Sequence, residues 1–194
     1  MPLMQSRRGP RSTFTLGTQP GVYALFLRNG AELPNITPAK DGLLYIGLAA
    51  NRKGLLGRCH FAGQARNHSP RKSLAALLKD ELNLVPVLIT KPNSRDTWGL
   101  DANSEARLTA WMYENLDLAI EICAAPESRE TELIARYAPP LNLTKCPKAA
   151  QHRLVSNARA AIMAEVSSSF VQTAPLERFS TVLNRHGIPF GHDF

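Results

Sequence analysis

The chain reads as a mixed α/β (α+β) domain with a C-terminal helical extension, and three observations lead there. Two short apolar runs, Gly-Val-Tyr-Ala-Leu-Phe-Leu at 21–27 and Gly-Leu-Leu-Tyr-Ile-Gly-Leu at 42–48, read as strands, each carrying a tyrosine. Further along, apolar residues recur with helical spacing in several separate stretches. With 194 residues and 44% apolar composition, the chain can bury a substantial core as one domain with appendages.

The first element is not regular structure. Residues 1–19 are basic and lack the apolar centre of a signal peptide, so they read as a flexible arm. The first strand begins at Gly21, and residues 28–42, rich in turn formers, form a long hairpin connection to an antiparallel second strand. The basic segment 51–67 is a weak helix by propensity, because Gly54 and Gly57 each cost roughly 1 kcal/mol against alanine. Ser69-Pro70 makes a clean helix start, and Leu74, Leu77, Leu78 and Leu82 continue the stripe to about residue 83.

Val85–Thr90 reads as a third strand. A helix then starts at Asn103 or Ser104 with Leu108, Trp111, Met112 and Leu116 on its apolar face. Leu118–Cys123 alternates like a strand, and Ser128 caps a helix that Pro139-Pro140 stops. After residue 145 the tail is separable. Residues 151–166 place Leu154, Ala158, Ala161, Ile162 and Val166 on one face, Ser167-Ser168-Ser169 reads as a hinge, and a second short helix starts near Pro175. The chain thus divides into a basic arm (1–19), a central domain (20–145) and a helical extension (146–194).

Charge is unevenly spread. Residues 1–75 hold eleven Lys and Arg against only Glu32 and Asp41, within a chain whose net charge is +7. The basic portion contains both strand tyrosines, which is where a polyanion would sit. Three widely spaced cysteines without a CxxC argue against a disulfide framework or structural zinc, and for a reducing compartment. No apolar run approaches the ~20 residues of a membrane span. The expectation is a cytoplasmic protein with no membrane partner.

The late helix is the most discriminating stretch. Leu133, Ile134 and Tyr137 mark its buried side, and Glu130, three and four residues earlier than the first two, shares it. A carboxylate there is costly without a partner. Mg²⁺, which takes one or two carboxylates plus waters and phosphates, would supply one. The plainer alternative is a carboxylate at the edge of the stripe that complements the helix dipole. Glu132, roughly 160° from Ile134 on the helical wheel, is a solvated charge.

Taken in order, Gly21-Val22-Tyr23, Tyr45-Ile46-Gly47, Glu130 before Leu133-Ile134, and Pro139-Pro140-Leu141-Asn142 resemble the GIY-YIG nuclease superfamily over residues 20–143. The resemblance implies a three-stranded, largely antiparallel sheet flanked by helices, and metal-dependent hydrolysis of a DNA phosphodiester. It implies that Glu130 holds one Mg²⁺ or Mn²⁺, that Tyr23 activates water, and that Tyr45 positions the phosphate. Arg58 would stabilise charge on the scissile phosphate, and Asn142 would brace the site. Family members often place that arginine four residues before a His or Tyr. Here the spacing from Arg58 to His60 is two, which a regular helix puts on different faces.

Lys53, Arg66, His68, Arg71 and Lys72 cluster near a helix start as candidate phosphate contacts, or as ordinary solvated surface. Trp98 and Trp111 read as core. The resulting expectation is a DNA endonuclease serving restriction, repair or mobile-element processing. A monomer with one site can nick, whereas a double-strand break calls for a homodimer or two encounters. The competing reading is a non-catalytic nucleic-acid binder on a degenerate nuclease scaffold.

Overall fold

The computed structural model describes residues 8–58, 61–90, 92, 95–146 and 150–173. Its centre is an antiparallel sheet in which β2 (Gly21–Leu27) lies between β3 (Leu43–Ala49) and β6 (Leu116–Ile122). A three-stranded antiparallel centre of this kind is what the family resemblance implies. β1 (Arg8–Pro10) adds a fourth on the outer side of β6, giving the order β1-β6-β2-β3. The third strand of the central sheet is therefore β6. The 85–90 run supplies β4 (Pro86–Ile89), which pairs with β5 (Thr97–Leu100) in a separate two-stranded sheet.

Every residue of β2 is buried, because both faces of the strand are covered. Tyr23, Leu25 and Leu27 face the larger core, which takes residues from α1 (Ser69–Leu77), α2 (Ala102–Asn115) and α4 (Ala150–Thr173). Val22, Ala24 and Phe26 face a smaller core under α3 (Pro126–Tyr137), together with Leu133 and Ile134. Burial on two faces explains why the strand reads as an unbroken apolar run rather than an alternation. Trp98 and Trp111 are core residues, as expected.

Residues 8–19 do not behave as the free arm that composition suggests. Arg8 donates to Asp117 at 3.3 Å and to the carbonyls of Asp41 and Leu27, and it stacks over Phe26 at 4.7 Å. Arg28 reaches the other oxygen of Asp117 at 2.8 Å. In the 28–42 connection, Leu33 and Ile36 are buried and anchor the loop to the core.

The basic segment after β3 forms short 3-10 turns, Gly54–Gly57 and Ala65–Asn67, as its glycine content allows. α2 begins one residue earlier than expected, with Asp101 as its cap accepting from the Ser104 amide at 2.7 Å. α3 starts at Pro126, two residues before Ser128.

α4 corrects two expectations. The serine triplet is not a hinge: the helix runs through it, and the Ser168 and Ser169 hydroxyls donate back to the carbonyls of Ala164 and Glu165. Its buried face carries His152, Val155, Ile162 and Val166, while Leu154 is exposed. The helix expected near Pro175 lies outside the described residues.

Candidate active site

The two tyrosines meet because of strand register. Tyr23 pairs with Gly47, and Tyr45 pairs with Leu25, so the phenols are diagonal neighbours on one face of the sheet. Their ring centroids lie 6.1 Å apart at 37°. A side chain on Gly47 would collide with the Tyr23 hydroxyl and the Tyr45 ring, so the glycine of the Tyr-Ile-Gly string makes room for the phenol opposite it. Gly21 serves the other motif in the same way: a Cβ there would strike the Glu121 carbonyl of β6.

Burial pushes both phenols above their ordinary range, and Tyr23 far above it. Burial, the charge of Tyr45 and the hydrogen bond between the two raise Tyr23, whereas that same bond draws Tyr45 down. Tyr45 is therefore the easier of the two to ionise. The charge of Arg58 pulls both phenols down, and that of Glu130 pushes both up, so these two side chains act on the same spot.

Arg58 caps the 3-10 turn Gly54–Gly57 and is half-buried. Its Nε is buried and has no hydrogen-bond partner among the described residues. His60 lies outside the described residues.

Glu130 sits on the sheet-facing side of α3 and is 8% exposed. Its Oε2 accepts from Lys145 Nζ at 2.6 Å. The carboxylate thus already faces a cationic group supplied by the segment between α3 and α4. No cluster of three or more His, Cys, Asp or Glu suited to a metal occurs among the described residues. One buried carboxylate beside phenol oxygens is a poor zinc site, which needs three or four protein ligands. It fits Mg²⁺ or Mn²⁺, which complete their shells with water and substrate phosphate.

Asn142 is 5% exposed and grips the outer edge of β3. Its Oδ1 accepts from the Ile46 amide at 2.8 Å, and its Nδ2 donates to the Ile46 carbonyl at 2.7 Å. The adjacent Leu141 amide donates to the Leu44 carbonyl at 3.0 Å. The Pro-Pro-Leu-Asn segment therefore covers an edge strand whose polar groups would otherwise be open, and holds Tyr45 in place from behind.

The candidate phosphate contacts separate into different environments. Lys53 and Arg66 are exposed. His68 is half-buried at the start of α1, and burial, with Arg71 and Arg58 nearby, holds its imidazole below the usual range. Lys72 Nζ donates to Thr97 Oγ1 at 2.6 Å and lies 4.7 Å over the Trp98 ring.

Arg71 is placed quite differently from a surface contact. It is fully buried, pairs with Glu105 at 2.6 Å, and donates to the Phe61 carbonyl at 3.1 Å and to Thr109 at 3.2 Å. A guanidinium in that position ties α1 to α2. Its place on the Leu74–Leu78 stripe, three and seven residues earlier, was the signal for this.

Sequence reasoning missed three cations near the tyrosines. Lys145 pairs with Glu130. Arg159 of α4 exerts its charge on Tyr45 and donates to the Ser69 carbonyl at 3.4 Å. Arg11 lines a cavity with Tyr23 and Arg58.

Among known families, the one described as the GIY-YIG catalytic domain matches residues 21–161, well over half of the chain and extending into α4. A 32-residue stretch is 56% identical to part of a protein named cytidylate kinase from Methanocorpusculum labreanum, covering 16% of this chain and 18% of that protein. The chain thus matches less than a fifth of that curated relative's length, a segment too short to carry an activity across. No solved structure matches.

Proposed function

The chain belongs to the GIY-YIG catalytic-domain family, a family of nucleases, and from that premise we propose that it is a Mg²⁺- or Mn²⁺-dependent DNA endonuclease. The observation that carries this reading is the convergence of four groups. The Tyr23–Tyr45 pair, Arg58 and Glu130 come from β2, β3, a 3-10 turn and α3, yet the charges of Arg58 and Glu130 both bear on the paired phenols.

In this reading Glu130 would hold the cation, whose charge would serve the phosphate and the attacking water. Tyr23 and Tyr45 orient the attacking water through their shared hydrogen bond. Burial keeps both phenols protonated, so a proton would leave only against the positive charge beside them. Arg58 brings a permanent charge to the phosphate oxygens. Asn142 keeps β3, and with it Tyr45, from shifting.

The deciding experiment offers linear duplex, single-stranded and branched DNA to pure protein with Mg²⁺ or Mn²⁺, beside Glu130→Ala and Arg58→Ala. Wild type is expected to cleave at least one substrate. Glu130→Ala falls to background while retaining DNA binding, and Arg58→Ala loses about 10²–10³-fold in kcat.

One observation favours a second reading, a non-catalytic nucleic-acid binder: the chain's own Lys145 occupies the Glu130 carboxylate. Absence of cleavage on every substrate, with salt-dependent binding unchanged in Glu130→Ala, would select it.

A further inference from the structure

The N-terminal segment lies outside the residues matched by the family, yet it reaches the tyrosine site. β1 pairs with β6, and the chain then makes a single 3-10 turn, Arg11–Thr13. Arg11 Nη1 donates to the Phe14 carbonyl at 2.9 Å, which fixes the side chain. From there Arg11 joins Tyr23 and Arg58 around a cavity of about 10 Å³, whose remaining walls, including Leu25, Leu118 and Ile120, are hydrocarbon.

Arg11 Nε and Arg58 Nε are both buried, and neither has a hydrogen-bond partner among the described residues. Leaving a buried N–H of a charged group unsatisfied is costly, and Arg11 and Arg58 both line this cavity. The volume suits one water, which needs two or more polar partners to stay. Among the described residues no carboxylate lines the cavity to serve instead.

We propose that this cavity is a binding site for a single water, accepted between Arg11 Nε and Arg58 Nε beside Tyr23, and that Arg11 is thereby a positioning residue for the catalytic pocket. A water that accepts from two guanidinium groups has its lone pairs occupied and its protons left to donate. It is a relay that carries positive charge towards the Tyr23 side of the pocket. It also holds Arg58 in one orientation.

The consequence for turnover rests on the nuclease reading above; the water site itself does not. Two measurements separate them. The first is NMR of the arginine Nε–H groups in the full chain, assigned with Arg11→Lys and Arg58→Lys. Two protected Nε–H signals that cross-relax with one long-lived water are expected, with the Arg58 contact weakened in Arg11→Lys. Exchange with bulk solvent only, or no water contact, overturns the proposal whatever the enzyme does.

The second is steady-state cleavage by Arg11→Met, which keeps the packing stem. A fall in kcat of about ten- to hundredfold is expected with KM nearly unchanged, and partial recovery in added guanidinium ion. An unchanged kcat in an active wild-type background overturns the positioning role. If wild type cleaves nothing while the water contacts are present, the nuclease reading fails and the water site stands.

Discussion

Single atoms decide whether the tyrosine pair exists. The Tyr23 hydroxyl occupies the space that a Gly47 side chain would need, and the Gly21 α-carbon leaves none for a Cβ against the Glu121 carbonyl. Gly47→Ala must displace the phenol or spread the strands. Overpacking of that kind costs about 1–3 kcal/mol. The expected result is a lowered Tm in thermal unfolding together with loss of cleavage by the protein that remains folded. Retention of full kcat would mean that the Tyr23 position is not critical.

Glu130 is a second single-residue case. A divalent ion bound through Glu130 Oε2 would have to displace the Lys145 ammonium. Lys145→Met should therefore tighten Mn²⁺ binding to DNA-free protein by roughly two- to fivefold, the scale of a partly exposed ion pair, as read by calorimetry or Mn²⁺ EPR. Unchanged affinity would show that the pair does not compete. At this scale the sequence was legible wherever chemistry follows local spacing. Glu130 beside Leu133 and Ile134 could be singled out that way, whereas Asn142 entered through the family resemblance. Arg11, Lys145 and Arg159 could not, because each reaches the site through tertiary folding that no local pattern encodes.

At the level of elements, the molecule depends on contacts between neighbours in space that are distant in sequence. The Arg71–Glu105 pair is the clearest example. Glu105 also accepts from the Ala65 amide at 2.6 Å, so one carboxylate holds the loop before α1 and the guanidinium of α1 against α2. Removing one partner leaves a buried charge uncompensated. Arg71→Ala should cost about 3–5 kcal/mol in denaturant unfolding, while the salt slope of DNA binding stays as in wild type. A reduced slope with unchanged stability would instead make Arg71 a phosphate contact.

The same scale explains which elements the sequence disclosed. β2, β3 and the helices α1, α2 and α3 carry long or strongly patterned apolar runs. β1 has three residues and no pattern of its own, and exists through its ladder to β6 and the Arg8–Asp117 pair. The serines of α4 favour turns in isolation. In place they bond back to the preceding turn of a helix already anchored by Val155, Ile162 and Val166.

Over the whole molecule, charge and shape point the substrate towards one side. The acid-poor first 75 residues supply β2, β3 and the two arginines, Arg11 and Arg58, that line a cavity with Tyr23. Beside that site, Lys72, Trp98 and Arg159 line an open cleft of about 400 Å³, with Asp96 the one acidic side chain among its described residues. Burial depresses the Lys72 ammonium and the Arg159 guanidinium alike, and the charge of Arg159 depresses Lys72 further. An entering phosphodiester would relieve that mutual repulsion. Because Arg159 also acts on Tyr45, a phosphate held there would lie next to the one at the tyrosines.

The expected outcome is specific. In a Glu130→Ala background without divalent ions, Lys72→Ala and Arg159→Ala should each weaken duplex binding across all sequences. Each should also lower the slope of log affinity against log salt by about one. Fluorescence anisotropy at several salt concentrations measures both quantities. Loss of affinity with an unchanged slope would place these residues in the packing of α4 on α1. A lowered slope would extend the path of the nucleic acid from the paired tyrosines across the start of α1 to α4, beyond what the two motif strands alone could bind.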